Sequence, residues 1–314
     1  MKSKLIPLLC ITLHLCAQGA WAQVPDGSDM HLPRTPFRLQ SRAEVQLPPA
    51  VDNSTRKFFP PILDQMGGSC AQASGIGYMF TYEINRLLDR DAHASADHRF
   101  SYQFSWNLLN DGQDQGDFVD QGLYLSERYG IMTEQDYGIS GTYQFKWATG
   151  YDKYYKALQY RTQEVLTFAD SIPLMKRWLY DAGDSSAVGG VLTFSAMSRG
   201  WEIDDDYQGP SLTGYRSLLK GLATDGAHAL TIAGYDDTVV YTDAQGTPHT
   251  GAFIVVNSWG THSHDHGRFY LPYDFFRDAR VPEQQLGSTV EAIRVRIHRP
   301  LVVFRLALDF SSRN

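Results

Sequence analysis

The spacing of hydrophobic residues changes about halfway along the chain. Between 70 and 88 they fall at Ile76, Phe80, Ile84 and Leu87, a 4-4-3 rhythm that puts them on one helical face, with Ser69 as the natural N-terminal cap. Gly75 and Gly77 lie inside this stretch and each cost a helix about 1 kcal/mol against alanine, so their presence predicts close packing against another element. Further helices are expected at about 102–110, at 118–129 with Gly130 as the stop, and at 171–182 between Ser171 and Gly183. Beyond Ala187 the texture becomes strand-like, with runs at 188–194, 228–235, 252–257, 267–271, 292–298 and 301–310. In the run at 292–298, Ile293, Val295 and Ile297 alternate with Arg294, Arg296 and His298, the pattern of a half-buried strand. Helices followed by strands predict an α+β protein of two lobes, helical over about 60–185 and sheet over about 186–314, with the cleft between them as the default site.

Two segments precede this region. Lys2 and Lys4 lead into an apolar run that ends near Cys16, followed by Ala20-Trp21-Ala22, the layout of a signal peptide cut after Ala22. Its apolar core of about a dozen residues is shorter than the roughly 20 that a spanning helix needs, and no later stretch is longer, so no membrane span is expected. Lipidation is disfavoured because leucines, not small residues, precede Cys10 and Cys16. The mature protein is therefore expected outside the cytoplasm, secreted or periplasmic. Residues 23–50 are polar with scattered prolines (Pro25, Pro33, Pro36, Pro48, Pro49) and read as an extended arm or short pro-segment ahead of one domain over 51–314.

Loss of residues 1–22 moves the formal charge from -7 to -9 and leaves one of the three cysteines, Cys70. An acidic chain is a poor partner for nucleic acid or an anionic membrane surface. With a single thiol no internal disulfide forms, and a lone cysteine in an exported protein is inertly buried, paired with another chain, or reactive.

Cysteine chemistry needs a thiolate, a base, a group that holds the base and donors for an oxyanion, and the chain has a candidate for each. Cys70 falls at the start of the expected helix, where the helix dipole favours thiolate. His228 opens a strand flanked by small residues, and Asn257 ends the apolar run Phe253-Ile254-Val255-Val256 before Ser258-Trp259-Gly260. Gln65 lies just upstream in Gln65-Met66-Gly67-Gly68-Ser69-Cys70, where two glycines permit a tight turn.

These three motifs, in the order Cys, His, Asn, resemble the papain family of cysteine proteases from about Pro60 to Tyr270. Weaker echoes occur at Phe100-Ser101-Tyr102-Gln103 and at Tyr129-Gly130-Ile131. The resemblance implies a helical lobe against a β-barrel-like lobe. It also implies Cys70 as nucleophile and His228 as general base and acid, paired as thiolate and imidazolium. Asn257 would orient the imidazole, Trp259 would shield that contact, and Gln65 with the Cys70 N–H would form the oxyanion hole, at about 3 kcal/mol per donor. It implies a protein or peptide substrate, admits a proteinaceous inhibitor, and implies no cofactor and no metal. The chain departs from the family pattern at several points: Gln65 stands five residues before Cys70 where six are usual, Ala71 replaces an aromatic residue, and Ala227 stands where Asp is frequent. The family's disulfides are absent, and Thr261 to Gly267 replaces a Gly-Trp-Gly stretch.

Two rivals use the same residues: an acyltransferase or amidase working through the same acyl-enzyme, and a binding protein on a peptidase fold. His262, His264 and His266 with Asp265 have metal-ligand chemistry, and Asp204-Asp205-Asp206 has calcium-ligand chemistry; a polar loop and a solvated acidic loop are the preferred readings of these stretches.

Overall fold

The computed structural model describes residues 30–39, 45–110, 114–138, 148–168, 171–184, 188–242, 246–277, 286, 289–300 and 302. The expected signal peptide, and the expected strand at 301–310 apart from Val302, lie outside the described residues. No helix among the described residues is long and apolar enough to cross a membrane.

One continuous helix runs over 70–88. It begins as an α-turn (Cys70–Gln72), widens into a π-helical stretch (Ala73–Phe80) and returns to α geometry (Thr81–Leu88). The two glycines behave as their positions predict. A Cβ on Gly75 would stand 2.9 Å from Val119, and one on Gly77 would stand 2.5 Å from Leu63, so neighbouring elements press directly on the helix backbone. Ser69 precedes this helix with φ -86° and ψ 15°, outside the extended geometry of a capping residue, and its side chain makes no capping bond. Its carbonyl instead accepts from the Ala73 N–H at 2.9 Å. The expected helices at 102–110, 118–129 and 171–182 are present as Tyr102–Leu109, Val119–Tyr129 and Ile172–Asp181, the second stopped by Gly130 at φ +72°.

The strands are β1 (Arg34–Pro36), β2 (Ala50–Asp52), β3 (Tyr160–Thr167), β4 (Leu192–Met197), β5 (Glu202–Asp204), β6 (Leu218–Gly221), β7 (Ala227–Thr242), β8 (Pro248–Val256), β9 (Arg268–Pro272) and β10 (Glu291–Ile297). They form one sheet in the order β1-β3-β10-β4-β7-β8-β9-β6-β5, with β2 also paired to β7. Helices and a large sheet are both present, as the α+β expectation requires, and they mix along the chain; the sheet is open and not the barrel-like lobe the resemblance implied. Closure requires the two edge strands to pair, and among the described residues the edges, β1 and β5, do not. The arm enters the same sheet: β1 pairs in parallel with β3.

Alternate side chains of these strands enter two cores. Leu166, Leu192, Leu230, Ile232, Phe253 and Val255 face one way and pack with Trp178 and Leu179 of the Ile172–Asp181 helix. Val165, Val191, Ala233, Val256 and Ile293 face the other way and pack with Ile76, Phe80 and Ile84 of the long helix. The sheet is thus covered on both faces, which explains its long apolar runs.

The long helix and the sheet are tied by buried hydroxyls. Ser74 Oγ lies 2.7 Å from Thr193 Oγ1 and 2.9 Å from Thr231 Oγ1, and Thr193 Oγ1 donates to the Leu230 carbonyl. Because Thr193 spends its proton on that carbonyl, Ser74 donates to Thr193 and Thr231 donates to Ser74. Replacing Ser74 with Ala leaves two fully buried threonine hydroxyls short of a partner. We expect Ser74→Ala to lose about 1–3 kcal/mol of stability, read as a lower urea midpoint at unchanged m-value.

Candidate active site

The fold brings the first residue of the long helix to the start of strand β7. Cys70 and His228 line one cavity of about 310 Å³, whose wall also includes Ala71, Asp117, Phe118, Ala227 and Ala229. His228 is buried, and its Nε2 lies 2.8 Å from Asn257 Oδ1, just past the end of β8. The same Oδ1 accepts from the Ser258 N–H at 2.8 Å, which establishes it as the oxygen of the amide. Nε2 must therefore donate, so the neutral ring keeps its lone pair on Nδ1. Trp259 stacks on the imidazole at 4.6 Å between ring centroids and 23° between planes.

Neither a family model nor a curated protein matches this sequence. Solved structures do match. Xylellain, a cysteine protease from Xylella fastidiosa, is 20% identical with a TM-score of 0.53, the match covering 79% of this chain and 87% of that one. Procathepsin B S9 from Trypanosoma congolense is 15% identical with a TM-score of 0.55, over 85% and 83% of the two chains. The ragweed pollen allergen Amb a 11, a cysteine protease in its proform, is 14% identical with a TM-score of 0.51, over 82% and 69%. The fold is that of the papain-like cysteine proteases.

Within this papain-like fold, Gln65 sits beside the site and not in the cavity wall. Its N–H bonds to the Ser258 carbonyl at 2.7 Å, its Oε1 accepts from the Ser258 hydroxyl at 2.6 Å, and its Nε2 donates to the Gly67 carbonyl at 3.0 Å. A further bond from Gly260 N–H to Leu63 carbonyl, at 2.9 Å, stitches the segment before Cys70 to the one after Asn257. The Gly67 turn expected from sequence is present at φ +52°. Ser69 is buried, but its hydroxyl finds no hydrogen-bond partner.

Sequence reasoning missed three contributors. Tyr78 donates to the Asn257 carbonyl at 2.9 Å and accepts from the Leu63 N–H at 2.7 Å, so one buried phenol braces both segments from the long helix. Trp201 packs edge-on against His228 and at a tilt against Trp259 from the β4–β5 connection, where no motif announces it. Asp117 lines the cavity with Cys70, and burial, opposed by the Gln72 side-chain amide, raises its carboxyl to about 7. The signal for Tyr78 was its position two turns beyond Cys70 on the same helix.

The histidine-rich loop does not gather its imidazoles. His264 packs among Trp201, Trp259 and Phe269 with its Nδ1 3.2 Å from Asp205, whereas the His266 side chain is 82% exposed. Among the described residues no group of three or more His, Cys, Asp or Glu converges as a metal site. In the acidic triplet, Asp204 pairs with Lys220 and Asp206 with Arg216.

Burial raises the Cys70 thiol above its ordinary range; the Ala229 N–H opposes this and the Asp117 carboxyl adds to it. Burial lowers His228 to about 4, against the pull of Asn257. Burial thus acts on both groups in the direction of the neutral thiol and the neutral imidazole. The His228 shift has a measurable consequence. Unfolded His228 binds a proton below about 6.5 while the folded ring does not until about 4, so its contribution is complete above 6.5 and is lost as pH falls toward 4. We expect this loss to reach about 3 kcal/mol. Urea unfolding of the parent and of His228→Gln between pH 7 and 4 checks it: the variant should lose less stability over that window.

Proposed function

We propose that this chain is an exported cysteine peptidase that hydrolyses peptide bonds through Cys70, His228 and Asn257. The observation that carries the reading is the imidazole geometry: Nε2 donates to Asn257 while Nδ1 is left as a base in the cavity that Cys70 lines. The papain-like fold and the leader-like segment at 1–22 support it.

The chemistry follows from these residues. His228 Nδ1 takes the thiol proton as sulfur attacks the substrate carbonyl, so the two groups stay neutral until a substrate is present. The oxyanion is met by the Cys70 backbone N–H and by the Gln65 amide once it turns from the Gly67 carbonyl. His228 then delivers its proton to the leaving amine, and water, deprotonated by the same ring, hydrolyses the thioester. Asn257 is neutral, so it fixes the ring without competing for the proton.

Two measurements test this proposal. The purified protein should cut members of a broad peptide library and be labelled at Cys70 by a thiol-directed epoxide much faster than free cysteine is. Cys70→Ala should abolish both. Labelling no faster than free cysteine, together with no cleavage, sinks the reading, and incorporation of added amines faster than hydrolysis would make the enzyme an acyltransferase instead. If Gln65 supplies an oxyanion donor, Gln65→Ala lowers kcat by about 100-fold with little change in KM. A loss confined to KM would remove Gln65 from that role.

A further inference from the structure

The helix that presents Cys70 begins without a cap. Ser69 makes no side-chain bond to it, and the Ser69 hydroxyl has no hydrogen-bond partner at all. An uncapped helix start frays, because its first N–H groups have no partner within the helix. A nucleophile at the first helical position therefore needs support from outside the helix. No disulfide supplies it, since Cys70 is a free thiol.

The segment 114–118, which leads into the Val119–Tyr129 helix, supports the chain on both sides of Cys70. Ahead of the cysteine, the Gly68 N–H donates to Asp114 Oδ1 at 3.0 Å. The two glycines leave no gap there: a Cβ on Gly67 would overlap the Asp114 carboxylate, and one on Gly68 would stand 2.8 Å from the backbone of Gln115 and Gly116. Beyond the cysteine, Gln72 Nε2 donates to the Phe118 carbonyl at 3.1 Å. The segment is itself anchored, because Trp106 Nε1 donates to the Gln115 carbonyl at 3.2 Å from the Tyr102–Leu109 helix. The Gly67 carbonyl accepts from Gln65 Nε2, so a single turn links Asp114, Gln65 and Cys70.

We propose that Asp114 is a positioning residue for Cys70: by holding the Gly68 N–H, its carboxylate fixes the turn that aims the sulfur and the Cys70 N–H at the substrate carbonyl. A carboxylate suits this place because it accepts more strongly than a neutral oxygen and carries no donor to compete. Placement of this kind governs rate, since a shift of about 1 Å in a reacting group costs up to about 100-fold. Asp114 is not part of the cavity wall, so it acts through Gly68. The inference rests on the peptidase reading for the reaction that is measured, not for the existence of the clamp.

The test compares the parent with Asp114→Ala and with Asp114→Asn, which keeps an acceptor oxygen without the charge. On a peptide that the parent cuts, Asp114→Ala should lower kcat by at least about tenfold with KM within about twofold, and Asp114→Asn should recover kcat to within about threefold of the parent. Because Asp114 is exposed, the urea midpoint should move little and both variants should be folded under assay conditions. A smaller loss in Asp114→Ala, a loss carried by KM, an asparagine variant as slow as the alanine variant, or a loss accounted for by a lower folded fraction overturns the clamp and leaves the peptidase standing. If the parent cuts no peptide, the rate at which the thiol-directed epoxide labels Cys70 takes the place of kcat. A rate at least about fivefold lower in Asp114→Ala and recovered in Asp114→Asn sustains the clamp while the peptidase reading falls; a smaller change, or no recovery, overturns it.

Discussion

The site depends on holding a helix from one half of the chain against a strand from the other. Ser74 and Thr231, 157 residues apart, meet in a dry hydroxyl chain that runs from Thr231 through Ser74 and Thr193 to the Leu230 carbonyl. Ser74 is one turn beyond Cys70, and Thr231 is three residues beyond His228. Apolar contacts would press these elements together but allow them to slide, because the hydrophobic effect has no direction. Directional bonds in a buried setting fix the register, since any slip leaves polar groups unpaired. Tyr78 repeats the device one turn further along the helix, joining the approach to Cys70 and the segment after Asn257.

This rigidity shapes the electrostatics. Burial disfavours the charged form of each group, which is why Cys70 and His228 shift in opposite directions toward neutrality. Asp117 pushes the same way, as a carboxyl held close to the sulfur with no cation of its own among the cavity residues other than the arm's Arg34.

The chemistry-bearing parts were legible in sequence because each depends on local spacing. A cysteine at the start of a periodic helix, a histidine between small residues at the start of a strand, and an asparagine closing an apolar run are all readable within ten residues. The long strands and the helix stops at Gly130 and Gly183 were readable for the same reason. What escaped depends on partners distant in sequence. The segment of β3 is largely polar, and it is a strand because β1 and β10 flank it, one from the arm and one from the end of the sheet region. The openness of the sheet is equally non-local, since it depends on the edge strands β1 and β5 staying unpaired with each other. Ser69 has the right side chain for a cap but the wrong backbone geometry, which no composition rule reads. Trp201 reaches His228 from an irregular connection, and only the folded chain reveals its neighbours. The alternation at 292–298 weakens because a bulge at Arg294 and Val295 interrupts it, leaving Ile297 exposed.

The π-helical stretch at Ala73–Phe80 bears on how the chain tolerates a change of length beside Cys70. A π-turn absorbs one more residue than an α-turn over the same length, so it acts as an insertion carried within an otherwise ordinary helix. Removing a single residue from it would restore continuous α geometry, with every backbone bond satisfied and both flanking segments intact. Because the extra residue is taken up inside the turn, the Cys70 end and the Ile84 end keep their relative orientation when it is removed. In a lineage, one codon gained or lost there leaves Cys70 facing the same wall of the cavity.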